Sequence, residues 1–197
     1  MKYQIIRGDA ASLDTAVEAK ICDVPWGSTY TPDSRFKGIF MEGKGFLFQL
    51  SCYESNPRRE HKIPGEEVCE DSCLEIFLNF APDKSTSYIN FEMNAGGCYL
   101  FGIGPDRYER VDLETPVMPE VKAEIGDGIW TATLFIPLET IENVYGKIDF
   151  KPSYTFKGNA FKCGDLTESP HYLSWAPLQR DAIDFHRSDR FGTFEIL

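Results

Sequence analysis

No apolar run in this chain approaches the ~20 residues that a membrane-spanning helix requires. The opening residues, Met1-Lys2-Tyr3-Gln4-Ile5-Ile6-Arg7-Gly8-Asp9, contain no hydrophobic signal-peptide segment. The chain as given therefore reads as cytosolic, or as extracellular if a signal was removed. Basic residues are scarce: 20 Lys and Arg stand against 31 Asp and Glu, a net charge of −11. That balance excludes nucleic acid, whose phosphates demand a basic surface, and argues against an anionic membrane. A neutral partner such as a sugar is compatible with it, and solubility alone accounts for an acidic surface equally well. No Cys-x-x-Cys occurs among the six cysteines, Cys22, Cys52, Cys69, Cys73, Cys98 and Cys163, which argues against a structural zinc site. Their scattered positions in strand-like segments favour free buried thiols over disulfides. Internal repeats and low-complexity segments are absent.

What the chain does have is punctuation and aromatic weight. Sixteen glycines and twelve prolines break it into short segments, while 42% hydrophobic and 14% aromatic content supply a core. Its 197 residues fit one domain, 1–197. Residues 10–24, with Asp9 or Ser12 as cap, form the single helical candidate. The remainder reads as strands over 36–41, 46–53, 73–80, 88–94, 98–103, 121–125, 129–136, 154–161, 171–175 and 193–197. About ten short strands without alternating helices predict an all-β fold. The expected architecture is an antiparallel two-sheet β-sandwich of immunoglobulin-like or jelly-roll type, with long loops and one short N-terminal helix. The charged stretch 54–70 and the segment 164–170 are the long loops, where function usually resides.

Side chains alternate along a strand. Leu74, Ile76, Leu78 and Phe80 share one face of the third strand, and Glu75, Phe77 and Asn79 the other. Ile89, Phe91 and Met93 oppose Tyr88, Asn90, Glu92 and Asn94 on the fourth. Paired as a hairpin, the two strands bring carboxylates, amides and aromatics onto one sheet face. Carboxylates and amides bind sugar hydroxyls, and flat rings meet the C–H face of a pyranose. A simply solvated outer face would look the same. The opposite faces, together with Trp130, Leu134 and Ile136, are expected to form the core, as is Trp175.

The segment Asp71-Ser72-Cys73-Leu74-Glu75-Ile76-Phe77-Leu78 has a counterpart about ninety residues on. There Leu173-Ser174-Trp175 and Asp184-Phe185-His186-Arg187-Ser188-Asp189-Arg190-Phe191-Gly192 lead into a closing strand. With Tyr88 to Asn94 and Trp130 to Pro137 between them, these motifs resemble family 9 carbohydrate-binding modules from about Phe36 onward. The resemblance implies a non-catalytic β-sandwich that binds β-linked glucans or xylans, or their reducing ends, and that associates with a polysaccharide-degrading enzyme. It requires no catalytic cofactor and implies structural calcium, for which the sequence shows no loop of specific spacing and hence no identifiable metal ligands. Glu75 matches the family's hydroxyl-binding glutamate, although this motif carries one extra residue. Phe185 falls where the family has one of two sugar-gripping tryptophans. The stretch Glu66-Glu67-Val68-Cys69-Glu70, where the other belongs, has no aromatic.

The candidate ligand residues are therefore Glu75, Asn90, Glu92, Asn94 and Phe185, with Arg187 for forked bonds to vicinal hydroxyls. Trp26 and Tyr172 are candidate second platforms, as are Tyr53 and His61. For Arg187 an ion pair with Asp184 or Asp189 is an equal reading. The alternative function is a jelly-roll glycoside hydrolase using Glu75 and Glu92, which in a retaining enzyme stand ~5–5.5 Å apart.

Overall fold

In the computed structural model, which describes residues 1–179 and 182–197, thirteen strands form one continuous curled sheet. They are β1 (Lys2–Arg7), β2 (Ala19–Ile21), β3 (Ser34–Met41), β4 (Gly45–Cys52), β5 (Cys73–Asn79), β6 (Tyr88–Asn94) and β7 (Tyr99–Gly104). Then come β8 (Val111–Asp112), β9 (Glu120–Ile125), β10 (Trp130–Pro137), β11 (Thr155–Cys163), β12 (Tyr172–Ser174) and β13 (Gly192–Ile196). One α-helix, α1 (Leu138–Tyr145), follows β10.

Two layers arise because β1 belongs to both. Lys2 to Ile5 pair in parallel with Thr193 to Ile196 of β13, whereas Ile6 and Arg7 pair in parallel with Ile39 and Phe40 of β3. One layer then runs β8-β7-β6-β5-β11-β13-β1, with β12 beside β11. The other runs β1-β3-β4-β10-β9, with β2 beside β3. The all-β expectation holds; the purely antiparallel one does not, since both pairings of β1 are parallel. A strand that closes a sandwich by crossing between layers joins chain ends rather than hairpin neighbours, so no local turn dictates its direction.

The expected helix over 10–24 is a short 3₁₀ turn, Ala10–Thr15, capped by the Asp9 side chain, followed by β2. Ala19 to Ile21 pair with β3 and bury Ile21, so tertiary pairing overrides a weak helical pattern. The missed helix α1 starts at Leu138, just after Pro137 as its N-cap, and ends where Gly146 takes φ 74°. Its Ile141 and Thr140 are fully buried.

Between the layers lies the core expected from the alternation. Leu74, Ile76, Leu78, Phe80, Phe91, Trp130, Leu134 and Ile136 are all buried within a single cluster. Phe194 of β13 sits at its centre, stacked on Phe156 with ring centroids 5.2 Å apart and touching Tyr3, Phe36, Phe48 and Trp175. The close approach of β13 to Trp175 requires glycine at 192, where a Cβ would lie 2.5 Å from the indole. Trp175 is core as expected.

The other face of β5 and β6 departs from expectation. Every residue of both strands is buried, so the polar face is not solvated. Phe77, Tyr88 and Phe161 on that face are covered by Leu178 and Phe191, and Cys73, Cys163 and Leu100 by Val68 and Cys98. The long loops fold back onto the sheet.

Truncating Phe194 to alanine removes a ring contacting both layers. The expected loss is about 3–5 kcal/mol of folding stability, measured by urea unfolding with an unchanged m-value.

Candidate ligand pocket

The loops leave a pocket of about 110 Å³ above β5, β6 and β11. The strand register builds its floor: Glu75 stands directly opposite Glu92, and Cys73 opposite Cys163. The period of two turns Glu75 and Glu92 outward while Leu74 and Met93 enter the core. Glu67, Cys69, Arg107, Arg110, Asp165, Tyr172, Ile183, Asp184, Phe185 and His186 complete the lining.

The two carboxylates are 2% and 4% exposed, and their surroundings differ. Glu92 Oε1 accepts from Arg110 Nη1 at 2.7 Å and from Asn90 Nδ2 at 2.8 Å. Glu75 Oε1 accepts the Cys163 S–H at 2.9 Å. Burial, and then the charge of Glu92, raise the Glu75 carboxyl well above the ordinary glutamate range. Burial raises Glu92 as well, and Arg110 partly offsets it.

His186 closes the polar side. Its Nε2 lies 3.4 Å from Arg110 Nη1, a group that can only donate, so the neutral ring carries its proton on Nδ1 and donates to Tyr88 Oη at 2.7 Å. Burial, then the charges of Arg110 and Arg107, lower its pKa to about 3.

Aromatic rings form the opposite side. Phe185 stacks on Phe161 with centroids 4.3 Å apart and planes 13° from parallel. Trp26 lies 5.6 Å and Tyr172 6.2 Å from the Phe185 ring. Two buried polar atoms here, Trp26 Nε1 and Asn90 Oδ1, make no hydrogen bond among the described residues.

Of the residues proposed from sequence, Glu75, Glu92, Phe185 and Tyr172 thus line one pocket. Asn90 stands behind Glu92, and Trp26 packs against Phe185 and Tyr172. Asn94 is elsewhere: its Nδ2 donates to Asp71 Oδ2 and His61 O, and its Oδ1 accepts from the backbone of Gly96 and Cys98. It secures the β6–β7 turn and the loop before β5. Arg187 is outside the pocket lining and forks onto Asp189, matching the ion-pair reading. Tyr53 is exposed and pairs with Arg35, and His61 bonds Glu70. Sequence reasoning missed Arg110, Arg107, Cys163, Asp165 and His186 as pocket residues. Arg110 and Arg107 lie in an irregular loop, and no periodicity marks a loop residue as facing a strand distant in sequence.

A second buried polar group lies at the same end of the sandwich. Lys162, fully buried, donates from Nζ to Cys163 O and His171 Nε2, both at 2.7 Å, with Glu54 Oε2 3.6 Å away. His171 Nδ1 donates to Ser169 O. Burial and then Lys162 lower the His171 pKa to about 4. Glu54 also accepts from Trp130 Nε1 and Ser72 Oγ.

For a metal, the one group of three or more His, Cys, Asp or Glu side chains that converges among the described residues is Cys73, Glu75 and Cys163. Two thiols make it a poor fit for calcium, which takes oxygen donors.

A family model described as carbohydrate-binding family 9 matches residues 10–196. The chain is similar in structure to a putative carbohydrate-binding protein from Bacteroides uniformis, with TM-score 0.85, 22% identity, and coverage of 100% of this chain and 99% of that one. It is also similar to a family 9 carbohydrate-binding module from Caldicellulosiruptor kristjanssonii solved with glucose, at TM-score 0.70 and 9% identity, covering 100% and 96% of the two chains. The cellotriose complex of a family 9 module from the same organism gives TM-score 0.71 and 9% identity, covering 100% and 93%. No curated protein matches the chain.

His186 gives the pocket a pH signature. Between about 3 and the ordinary histidine value of 6.5, the unfolded chain binds this proton and the native chain does not. Its contribution is complete above pH 6.5 and is lost as pH falls. Relative to His186→Gln, the wild type should lose on the order of 1–2 kcal/mol between pH 7 and pH 5, read from chemical unfolding at each pH.

Proposed function

This chain belongs to carbohydrate-binding family 9, and on that premise we propose that its pocket binds a sugar without cleaving it. The observation that carries the reading is the convergence of Glu75, Glu92 and Arg110 with Phe185 and Tyr172 around one small pocket. Carboxylates accept from vicinal hydroxyls, a guanidinium donates to ring and hydroxyl oxygens, and the aromatic rims meet C–H surface. The pocket lies well below the roughly 300–1,000 Å³ of drug-sized clefts, so it suits one sugar unit at a chain end. The neighbours solved with glucose and cellotriose support a glucose-type ligand; our proposal extends this to β-linked glucans or xylan-type chains, or their reducing ends. Association with a polysaccharide-degrading enzyme follows for a module of this kind. Calcium remains part of the proposal only as a structural ion bound by oxygen donors away from this pocket.

Phe185 is the aromatic at the position of the family's tryptophan, yet Phe161 already occupies one of its faces. Only its remaining surface and edge are left to a ligand. Trp26 and Tyr172 surround the same ring and extend the apolar side.

One observation favours a second reading, hydrolysis: Glu75 and Glu92 face each other with raised carboxyl pKa values, the setting in which a glutamic acid serves as proton donor. Against it, Arg110 and Asn90 already engage Glu92. Aryl β-glycosides separate the readings. Binding without release of the aryl group supports the module, whereas release that Glu75→Gln abolishes supports the hydrolase.

With few exposed aromatic surfaces, calorimetry against glucose, cellobiose and xylobiose should give Kd between about 10 µM and 1 mM for the preferred sugar. Phe185→Ala should weaken it by about 1–2 kcal/mol, and Glu75→Gln by about 1 kcal/mol or somewhat more. Glu75→Gln should not lower the melting temperature at neutral pH, since it removes a buried carboxylate whose raised pKa makes ionisation unfavourable in the native state. Submicromolar monosaccharide binding would refute the weak-platform picture.

A further inference from the structure

We propose that Cys73, Cys163 and Glu75 form a binding site for a thiophilic divalent cation of the zinc class on the floor of the pocket. Their ligating atoms all lie within 4.8 Å of one another. A tetrahedral ion with Zn–S near 2.3 Å and Zn–O near 2.0–2.2 Å holds its ligands roughly 3.5–3.8 Å apart. Cys163 Sγ and Glu75 Oε1 already approach to 2.9 Å, so small side-chain rotations suffice.

The placement is built by the sheet. Cys73 and Cys163 are directly paired across β5 and β11, and Glu75, two residues beyond Cys73, shares its face by the strand period. Three ligands from two hydrogen-bonded strands are held without a flexible loop, the preorganisation that a metal site needs. Burying Glu75 with a single thiol as its donor has a cost, and a cation held by the same groups offsets it. The thiols select a soft ion and reject calcium or magnesium. Both bind as thiolates, so uptake releases their protons to solvent.

The fourth coordination position opens toward the pocket, since Glu75 and Cys163 line it. There a water or a ligand hydroxyl completes the tetrahedron. The pocket's charge also suits a cation: Glu67, Glu92, Asp165 and Asp184 surround the site against Arg107 and Arg110. The spacing that makes a zinc motif recognisable in sequence is absent because the two thiols meet through strand pairing and not through a knuckle turn.

The proposal does not depend on sugar binding, and its test contains no sugar. The full chain, reduced with a phosphine and freed of metal, is titrated with Co²⁺. One equivalent should produce thiolate-to-metal charge-transfer absorption and the visible bands of tetrahedral cobalt, and Zn²⁺ should displace both. Cys163→Ser and Cys73→Ser should each weaken the ion by at least the roughly 10–100-fold that loss of an outer-shell partner costs. Cys22→Ser, at an exposed position, should leave it unchanged. Should either serine variant fail to fold, wild-type protein decides the matter: Zn²⁺ should protect Cys73 and Cys163, identified by mass spectrometry, from alkylation in mild denaturant. Absence of the cobalt bands with no such protection overturns the site. Undiminished bands in a folded Cys163→Ser variant overturn it equally.

Discussion

Burial of both faces of β5, β6 and β11 is the constraint on which the rest of this structure depends. One face closes against the second layer through Leu74, Ile76, Phe91 and Phe156. The other is roofed by loops, so every polar atom on it must find a partner inside the protein or in a ligand. Asn94 and Asp71 answer within the protein. Burial pushes the Asp71 carboxyl up, but backbone N–H groups of Glu60 and His61, with Asn94 and Arg58, hold it below the ordinary aspartate range. That arrangement pins the 54–70 loop across the sheet end.

Glu75 and Glu92 are answered less completely. Arg110 and Asn90 engage Glu92, while Glu75 has one thiol as its donor among the described residues. A carboxylate left short of donors has unused acceptor capacity aimed into a cavity, which is what recognition of hydroxyls or a cation requires. The neutral histidines continue the pattern. His186 and His171 each orient a neighbouring cationic side chain through an acceptor nitrogen, at the cost of acid stability.

The aromatic side shows how the same fold carries a different surface. Val68 is fully buried in the stretch where the resemblance places a tryptophan, packed with Cys73, Cys98 and Cys163. Phe185 lies on Phe161 instead of standing free. The apolar surface available to a sugar is shared among several rings, and the thiols occupy the space beneath.

The sequence by itself determined most of the strands and which way their side chains point; β1, β2 and β8 lay outside the expected set. Alternation in 73–80 and 88–94 set Leu74, Ile76 and Phe91 into the core and turned Glu75 and Glu92 together, because the period of two is a property of the extended backbone and needs no partner. It also carried the family resemblance, through motifs on those strands. Only the tertiary structure decided what covers that outward face. Loop backbones lack a repeating geometry, so nothing in 104–110 or 182–191 announced that Arg110 would reach Glu92 or that His186 would bond Tyr88. Long-range strand pairing likewise brought Cys73 against Cys163 and carried β1 into both layers, because pairing between residues far apart in the chain is selected by the packing of the whole and not by any local signal.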